Sequence, residues 1–226
     1  MILEMTRPVQ GGLRQERKLD VTSNHLANVS TPGFKKDVVS FTRFFNARMN
    51  TDMTQAEVHR TGNTLDLALT DEGFFKVQTP LGVRYTRNGS FTLDNNGVLV
   101  DQKGNMVLGK NGPIILNAEN IYINKIGEVE ADGAIIDRLD IATFDVTERL
   151  QKESGDNFVY KGFSTDEKEP VNISVEQGAL ESSNVNAVHE MVTMIDHHRM
   201  YETFQKIMLT FDEIDGKAIN DLGKLR

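Results

Sequence analysis

Apolar positions near the start of this chain follow a helical period. Residues 9–28 place apolar side chains near one face and charges on the other, which predicts an amphipathic helix. That face comprises Val9, Leu13, Arg17, Val21 and Leu26. Gly11-Gly12 weakens the helical pattern early in this segment, because glycine is a poor helix former.

The first helix is predicted to end at Ser30-Thr31-Pro32-Gly33. Proline has no N–H to continue a helix and disfavours helical backbone at the residue before it. A Pro-Gly pair suits a type II turn, whose third position needs a positive φ. We therefore expect Gly33 to adopt a positive φ in a tight turn.

From Leu65 the pattern changes to short apolar or alternating runs separated by glycines. Gly73, Gly82, Gly89, Gly97, Gly104 and Gly112 recur every seven to nine residues beside turn-compatible residues. This spacing predicts an antiparallel meander. The predicted strands are Phe74–Val77, Ser90–Leu93, Val98–Val100, Ile114–Leu116, Ile121–Ile123, Glu128–Glu130 and Leu139–Ala142. Residues 145–177 are weakly patterned, so we predict loops there with one candidate strand at Val171–Val175.

The helical period returns between Val185 and Arg226, where there is no proline. One stripe comprises Val188, Val192 and Ile195, and a second comprises Tyr201, Phe204, Met208, Phe211, Ala218, Leu222 and Leu225. His197-His198-Arg199 lies where the stripes change register. A helix of this length spans ~60 Å at 1.5 Å per residue. Its apolar face needs a partner, and the shorter N-terminal helix covers only part of it, which favours packing between molecules.

Together these patterns predict an α+β protein with helical ends and a central antiparallel β-rich domain. We expect a helical segment over 1–35, a connector over 36–64, a β-rich domain over 65–177 and a second helical segment over 178–226.

Charge is unevenly distributed along the chain. Residues 1–50 carry 8 Lys and Arg against 4 Asp and Glu, residues 51–184 carry 12 against 22, and residues 185–226 carry 5 against 7. A basic beginning favours contact with acidic surfaces. The basic excess is small and not interleaved with aromatic residues, which disfavours nucleic acid as a partner. No apolar run reaches signal-peptide or membrane-spanning length, so Sec export and membrane insertion are disfavoured.

Candidate catalytic and metal-binding groups are few. Cysteine is absent, and no histidine pair among His189, His197 and His198 has the i,i+4 spacing of a helical metal site. Asp94-Asn95-Asn96-Gly97 lacks acidic residues where a calcium loop needs them, so we predict a hairpin turn. Gly109-Lys110-Asn111-Gly112 lacks phosphate-loop spacing, and no nucleophile motif occurs. We therefore expect no enzyme activity, no cofactor and no metal.

Several motifs, in order along the chain, resemble those of the bacterial flagellar rod and hook proteins. Near the start these are Leu19-Asp20-Val21, Ser23 to Val29 and Thr31-Pro32-Gly33-Phe34-Lys35, with His25 where asparagine is usual. In the middle they are Thr61 to Leu69 (with Thr64 where proline is common), Gly73-Phe74-Phe75, Tyr85 to Phe91 and Asn96 to Val100. Near the end they are Gly178 to Asn186, Met191-Val192, Ile195, Arg199 and Tyr201. The stretch Val107-Leu108-Gly109 to Gly112-Pro113-Ile114 looks more like a proximal than a distal rod subunit.

This resemblance implies a structural subunit of the basal-body rod, located in the periplasm. It implies export, unfolded, through the flagellar type III apparatus, followed by helical assembly with copies of itself and with other rod proteins. The terminal helices would pair as an inner coiled-coil layer around the export channel, with the β-rich domain outside, and the rod would transmit torque.

Residues at the helix boundaries and on the C-terminal stripes are the candidates for assembly. Asn28, Ser183 and Asn184 are expected to bond backbone groups where helices meet the β-rich domain. The candidate assembly residues are Leu26, Asn28, Pro32, Gly33, Phe34, Leu180, Glu181, Ser183, Asn184, Val185, Asn186, Val192, Ile195, Tyr201, Phe204, Met208, Phe211, Leu222 and Leu225.

Two other classes of function remain open at this point. A ligand-binding β-domain on a coiled-coil stalk would show exposed aromatic clusters, but the chain has no Trp and 4 Tyr. A metal-dependent hydrolase would use the histidine cluster, and metal analysis would detect it.

Overall fold

A computed structural model describes residues 2–41, 47–118 and 120–223. Its contacts divide the chain into two compact units, each built from separate stretches of sequence. The helical unit comprises Met1–Ala27, Asp37–Asn50 and Asn186–Arg226, and the β-rich unit comprises Asn28–Lys36 and Thr51–Val185. Both segments next to the predicted helix boundaries, 28–36 and 178–185, thus belong to the β-rich unit. The sequence prediction assigns residues 28–35 and 178–185 to the helical segments and residue 36 to the connector.

Two long helices form the main part of the helical unit. They are α1 (Ile2–Ala27) and α2 (Ala187–Gly223), accompanied by the paired strands β1 (Asp37–Phe41) and β2 (Ala47–Thr51). Helix α1 begins earlier than the pattern predicted, and Gly11-Gly12 does not interrupt it. Helix α2 has 37 residues against 26 for α1, so about 16 Å of it has no counterpart in α1 at 1.5 Å per residue.

Short antiparallel strands make up most of the β-rich unit. They are β3 (Val58–Arg60), β4 (Leu67–Leu69), β5 (Phe74–Thr79), β6 (Gly82–Thr86), β7 (Phe91–Leu93), β8 (Leu99–Asp101), β9 (Met106–Gly109), β10 (Gly112–Pro113), β11 (Ile121–Ile123), β12 (Glu128–Ala131), β13 (Ala134–Arg138), β14 (Ile141–Phe144), β15 (Leu150–Ser154), β16 (Asn157–Tyr160), β17 (Glu167–Lys168), β18 (Val175–Gln177) and β19 (Ala179–Glu181). Single 3-10 turns occur at Thr147–Arg149 and Ser164–Asp166.

The largest sheet has the strand order β15-β16-β6-β5-β9-β8-β7. Strand β10 pairs with β9, and β14 pairs with both β5 and β17. A second sheet has the order β11-β12-β13, and β4 and β3 pair with the late strands β18 and β19. The predicted antiparallel β-rich centre is therefore confirmed, and together with the two helices it gives the predicted α+β class.

In each of three hairpin turns, one side-chain oxygen accepts two backbone N–H groups. Oδ1 of Asp94 accepts the N–H groups of the residues two and four positions later, and Asp101 and Asn124 do the same in their own turns. Each turn places a glycine with positive φ at the fourth position. The predicted hairpin turn at residues 94–97 is confirmed, and its aspartate serves backbone N–H groups.

The apolar core of the β-rich unit lies around β5, where Val77, Phe91 and Val107 are fully buried. A smaller aromatic cluster contains Phe74, Tyr85, Phe144 and Phe158. Phe144 lies 4.8 Å from Tyr85, ring centre to ring centre, in an edge-to-face arrangement that aromatic pairs favour. The predicted strands therefore supply most of the core.

Residues 145–177 contain β15, β16 and β17 where loops were predicted. Strand β15 reads Leu-Gln-Lys-Glu-Ser and lies at an end of the largest sheet. Edge strands carry charged side chains and show little alternation, which explains the weak signal. The predicted strand at Ile114–Leu116 is instead reduced to a single bridge between Ile115 and Val98, although Ile114 and Leu116 are buried.

Candidate assembly site

In the β-rich unit, the segment after α1 is joined to the segment before α2 by backbone hydrogen bonds. Gly33 N donates to Glu181 O at 2.8 Å, and Asn184 N donates to Phe34 O at 3.2 Å. We call residues 28–36 together with 178–185 the joint. The segment after α1 and the segment before α2 thus lie side by side, although 146 residues separate Lys35 from Glu181 in sequence.

The predicted turn at Pro32-Gly33 is present in the joint. Phe34 N donates to Thr31 O, which closes the turn, and Gly33 has φ +66°. A Cβ on Gly33 would lie 2.4 Å from the backbone carbonyl carbon of Arg87. The prediction of a positive φ is confirmed, and glycine is also needed for close approach to another backbone.

The Asn184 side chain links both segments of the joint to Asp52, which lies outside the joint in the β-rich unit. Its Oδ1 accepts the N–H of Lys36 at 2.7 Å, and its Nδ2 donates to Asp52 O at 2.8 Å. Lys36 O in turn accepts Asp52 N–H at 2.8 Å. Asn184 therefore bonds backbone groups as predicted. Ser183 Oγ accepts Val185 N–H, and Asn28 Oδ1 accepts the Thr31 hydroxyl.

A cluster of buried charged side chains stabilises the joint. Lys35 and Glu181 side chains are each 1% exposed, and Lys35 Nζ donates to Glu181 Oε1 at 2.6 Å and to Thr54 O at 2.7 Å. Glu181 Oε1 also accepts Ala56 N–H at 2.9 Å. Arg87 Nε lies 3.8 Å from the other carboxylate oxygen, Oε2. One buried carboxylate therefore serves two buried cations.

Burial is the main influence on the pKa values of both cations in this cluster. It lowers the pKa of Lys35, although the hydrogen bond with Glu181 acts in the opposite direction. Burial also lowers the pKa of Arg87, against the attraction of Glu181. Removing one member of such a group leaves uncompensated charge in a dry environment, which is strongly destabilising.

Phe34 lies fully buried beside the cluster. Lys152 Nζ is 4.1 Å from the centre of its ring and donates to Lys35 O at 2.5 Å. Leu180 and Val185 are buried as well, so the apolar members of both terminal motifs contribute to the interior of the joint.

Within the helical unit, α1 and α2 run antiparallel, because the beginning of α2 meets the end of α1 and a later part of α2 meets the first half of α1. His25 Nδ1 lies 3.2 Å from a Glu190 carboxylate oxygen. A Cβ on Gly11 would lie 2.4 Å from the Phe204 ring. His197 lies on α2 between these two contacts. Burial lowers its pKa, and the positive charge of Lys18 lowers it further.

His25 holds three elements of the helical unit together. Its Nε2 accepts the N–H of Asp37, at the start of β1, at 2.9 Å. Its Nδ1 faces Glu190 in the first turn of α2 at 3.2 Å. Asn186 caps that helix, because its Oδ1 accepts His189 N–H at 3.0 Å.

One face of α2 is turned toward α1 and is partly or fully buried. Its members recur at alternating intervals of four and three. They are Glu190, Met194, His197, Tyr201, Phe204, Met208, Phe211 and Asp215. His197 continues this face, whereas the two predicted apolar stripes lie on different sides of α2, so the predicted change of register between them at residues 197–199 is present. The sequence concealed the continuity because Glu190, His197 and Asp215 are polar.

The face of α1 that meets α2 is not the one that the apolar pattern predicted. Gly11, Gln15, Lys18, Thr22 and His25 are on the contacting side, and Thr22 and His25 are buried. Val9 and Leu13 lie on the opposite side, 41% and 59% exposed. Gly11, which has no side chain, allows close approach of the Phe204 ring of α2.

The predicted first stripe of α2 is exposed. Val188 is 72% exposed, and Met191, Val192 and Ile195 are each more than half exposed. These residues lie at i, i+3, i+4 and i+7, on the side of α2 away from α1. Side chains of Leu222 and Leu225 lie outside the part that the structure describes, and Leu26 is half-buried on α1.

The three C-terminal histidines point in different directions. His197 faces α1, His189 is exposed, and His198 lies 3.4 Å from Glu202. Within residues 2–41, 47–118 and 120–223, no group of three or more metal-binding side chains is found. None of the described helices combines the length and apolar character needed to cross a membrane.

The sequence predictions missed Lys35 in the joint and several residues outside the joint that contact it. Lys35 and Arg87 fall within the motifs that carry the family resemblance, and this was their only signal. Thr54 and Asp52 contribute backbone carbonyls from the predicted connector, and Lys152 comes from a predicted loop. Contacts made through backbone atoms leave no trace in residue type.

A buried joint in the β-rich unit and, in the helical unit, two long helices with exposed apolar side chains are features of a structural protein. Three family models match this chain. "Flagella basal body rod protein" matches residues 11–35, "Flagellar hook protein FlgE/F/G D1 domain" matches 68–131, and "Flagellar basal body rod FlgEFG protein C-terminal" matches 176–222.

Curated relatives give the same result over nearly the whole chain. The flagellar basal-body rod protein FlgF of Caulobacter vibrioides is 33% identical over 92% of this chain and 93% of its own length. FlgG of Bacillus subtilis is 30% identical over 97% of this chain and 99% of its length. FlgF of Rhizobium meliloti is 29% identical over 93% of this chain and 94% of its length.

The chain therefore belongs to the flagellar basal-body rod protein family and is FlgF-like. It is a structural subunit of the basal-body rod, which spans the periplasm, and it is not an enzyme. Membership implies assembly with other rod components.

Proposed function

We propose that this subunit assembles helically with copies of itself and that the assembled rod transmits torque across the periplasm. The helices α1 and α2 would form an inner coiled-coil layer around the export channel. The proposal includes delivery of the unfolded chain by the flagellar type III export apparatus, as the family resemblance implies.

Partly or fully buried positions of α2 recur at alternating intervals of four and three, and this supports the coiled-coil part of this proposal. The contacts of His25 with Glu190 and of Gly11 with Phe204 are fourteen residues apart, which equals two seven-residue repeats. Seven-residue contact intervals are typical of supercoiled helices. The polar residues in this contact make it weaker than an apolar seam, and a helix pair of this kind benefits from further packing.

The observation that carries the assembly proposal is the exposed apolar side of α2. Fully burying an exposed side chain of this kind is worth ~1.5–3 kcal/mol, and Val188, Met191, Val192 and Ile195 are still more than half exposed, so a neighbour could supply roughly half of that for each. The same holds farther along α2 for Leu209 and Ile214, which are also exposed. Neighbouring subunits are the partners that a rod supplies to such a surface.

A charge on this surface tests the proposal. Val192→Asp should reduce the number of subunits recovered in isolated rods at least tenfold, because it buries a charge between subunits. Unfolding of the purified chain should not change, since Val192 is exposed. Gln205→Asp, on an exposed position of the same helix, is the matched control and should be incorporated normally. Normal incorporation of Val192→Asp would contradict the proposal.

Phe204→Asp and Phe211→Asp should also prevent incorporation. Phe204 packs on Gly11 of its own chain, so its replacement should separate α1 from α2 as well. The β-rich unit should unfold as in the unmodified protein, because its core lies elsewhere. Loss of the β-rich unit together with the helices would argue against this division of roles.

A further inference from the structure

The strand pairings of the β-rich unit enclose either very short or very long stretches of chain. Several neighbours in the sheets are consecutive hairpins, such as β5 with β6, β8 with β9 and β12 with β13. In contrast, β3 pairs with β19 and β4 pairs with β18, which brings the beginning of the unit to its end. The joint belongs to the second kind, because Lys35 and Glu181 are 146 residues apart.

We infer that the joint closes last when the β-rich unit folds, and only when both of its segments are present. A hairpin encloses a short loop, whereas a contact that encloses a long loop has a larger entropic cost and forms more slowly. The joint therefore keeps the unit incomplete until the segment before α2 reaches the segment after α1. The use of this property in delivery rests on the proposed export of an unfolded chain.

The charges of the joint oppose closure by either segment alone. Lys35 supplies a cation and Glu181 a carboxylate, and each side chain is 1% exposed in the closed joint. If residues 28–36 docked first, Lys35 would be buried near the Arg87 cation without the carboxylate. If residues 178–185 docked first, Glu181 would be buried without Lys35. Burying a charge without its partner is unfavourable, so the two segments are expected to enter together.

The backbone of the joint has the same mutual dependence. Gly33 N donates to Glu181 O at 2.8 Å, and Asn184 N donates to Phe34 O at 3.2 Å, so each segment supplies the acceptor for the other. A buried N–H without an acceptor costs free energy. For a chain that is delivered unfolded, the unit thus stays open whichever end arrives first, until the segment near the other end is present.

Pulsed hydrogen exchange during refolding of the purified full-length chain tests this order. The N–H groups of Gly33 and Asn184 report on the joint. The N–H of Ile114, which donates to Val107 O at 3.1 Å, reports on a local contact in the same unit. We expect Ile114 to become protected at least fivefold faster than Gly33 and Asn184, which should become protected at one common rate. Equal rates for all three, earlier protection of the joint, or different rates for Gly33 and Asn184 would overturn the inference.

A substitution in the joint separates late closure from general destabilisation. Glu181→Gln should leave the rate of Ile114 protection within twofold and should speed native-state exchange of the Gly33 N–H at least tenfold. Glu176→Gln is the matched control, because its partner Arg60 is 86% exposed, and it should change neither rate by more than twofold. A loss of speed at Ile114 as large as the effect at Gly33 would overturn the inference. If Glu181→Gln does not fold, Asn184→Ala takes its place under the same criteria.

The two proposals can fail separately. If Val192→Asp is excluded from rods but the joint becomes protected together with Ile114, the proposed assembly stands and the late closure of the joint is wrong. If the joint closes last but Val192→Asp is incorporated normally, late closure stands as a property of the fold and the proposed role of α2 in assembly is wrong.

Discussion

The β-rich unit and the helical unit place their apolar side chains in opposite ways. In the β-rich unit Val77, Phe91 and Val107 are completely buried, and even the charged pair Lys35 and Glu181 is enclosed. In the helical unit Val188 and Leu13 are mostly exposed while polar residues meet between the helices. The first unit satisfies its own core, and the second leaves a surface that other subunits can bury.

This difference predicts where substitutions act. Changes in the joint should lower the stability of the isolated chain, whereas changes on the outer sides of the helices should affect assembly. The two units can be followed separately. Three of the four tyrosines, at positions 85, 122 and 160, lie in the β-rich unit, and there is no tryptophan. Tyrosine fluorescence therefore reports mainly on that unit, and circular dichroism at the helical wavelength on the other.

The largest effect is expected from Glu181→Gln. This change leaves Lys35 and Arg87 as two buried cations without a carboxylate, and we expect a loss of about 3–5 kcal/mol in the free energy of unfolding. Urea unfolding followed by tyrosine fluorescence measures it. Glu176→Gln is the control, because its partner Arg60 is 86% exposed, and it should cost at most about 1 kcal/mol. Equal losses would show that the buried cluster does not stabilise the joint.

A smaller loss is expected from Gly33→Ala. A residue with a side chain pays about 1–2 kcal/mol for a left-handed conformation, and here its Cβ would also overlap the Arg87 backbone. Gly62→Ala separates the two causes, because Gly62 has φ +79° with nothing within 4 Å of the added Cβ. Thermal unfolding should show a larger loss for Gly33→Ala than for Gly62→Ala.

The close contact with the Arg87 backbone leads us to expect that Gly33→Ala destabilises the β-rich unit itself. Equal unfolding temperatures for the two alanine variants would show that the close approach of Gly33 to the Arg87 backbone does not affect stability.

The smallest effect concerns the helix pair. Gly12→Ala should stabilise α1 by about 0.5–1 kcal/mol, because its Cβ would meet Phe204 Cβ at an ordinary 3.8 Å. Gly11→Ala has the same gain in helix propensity but displaces the Phe204 ring, so it should unfold at a lower temperature than Gly12→Ala. Helical circular dichroism during heating compares the two. Identical curves would mean that Phe204 does not depend on the glycine.

The sequence by itself determined the two terminal helices, the antiparallel β-rich centre between them and the family. Glycine spacing predicted the antiparallel strands because tight hairpins need positive φ, and Pro32-Gly33 predicted the turn after α1 for the same reason. These features depend on local backbone conformation, which residue type controls directly. The terminal motifs also pointed to the joint, since Asn184 and Glu181 lie within them.

Only the tertiary structure decided which surfaces meet. The apolar pattern of α1 predicted Val9 and Leu13 as its packing face, but α1 contacts α2 through Gly11, Lys18 and His25. The contribution of Lys35 and Arg87 depends on a carboxylate about 100 to 150 residues away. Periodicity shows that a helix has an apolar side, but which partner covers that side depends on contacts between distant residues and, for a rod subunit, on other molecules.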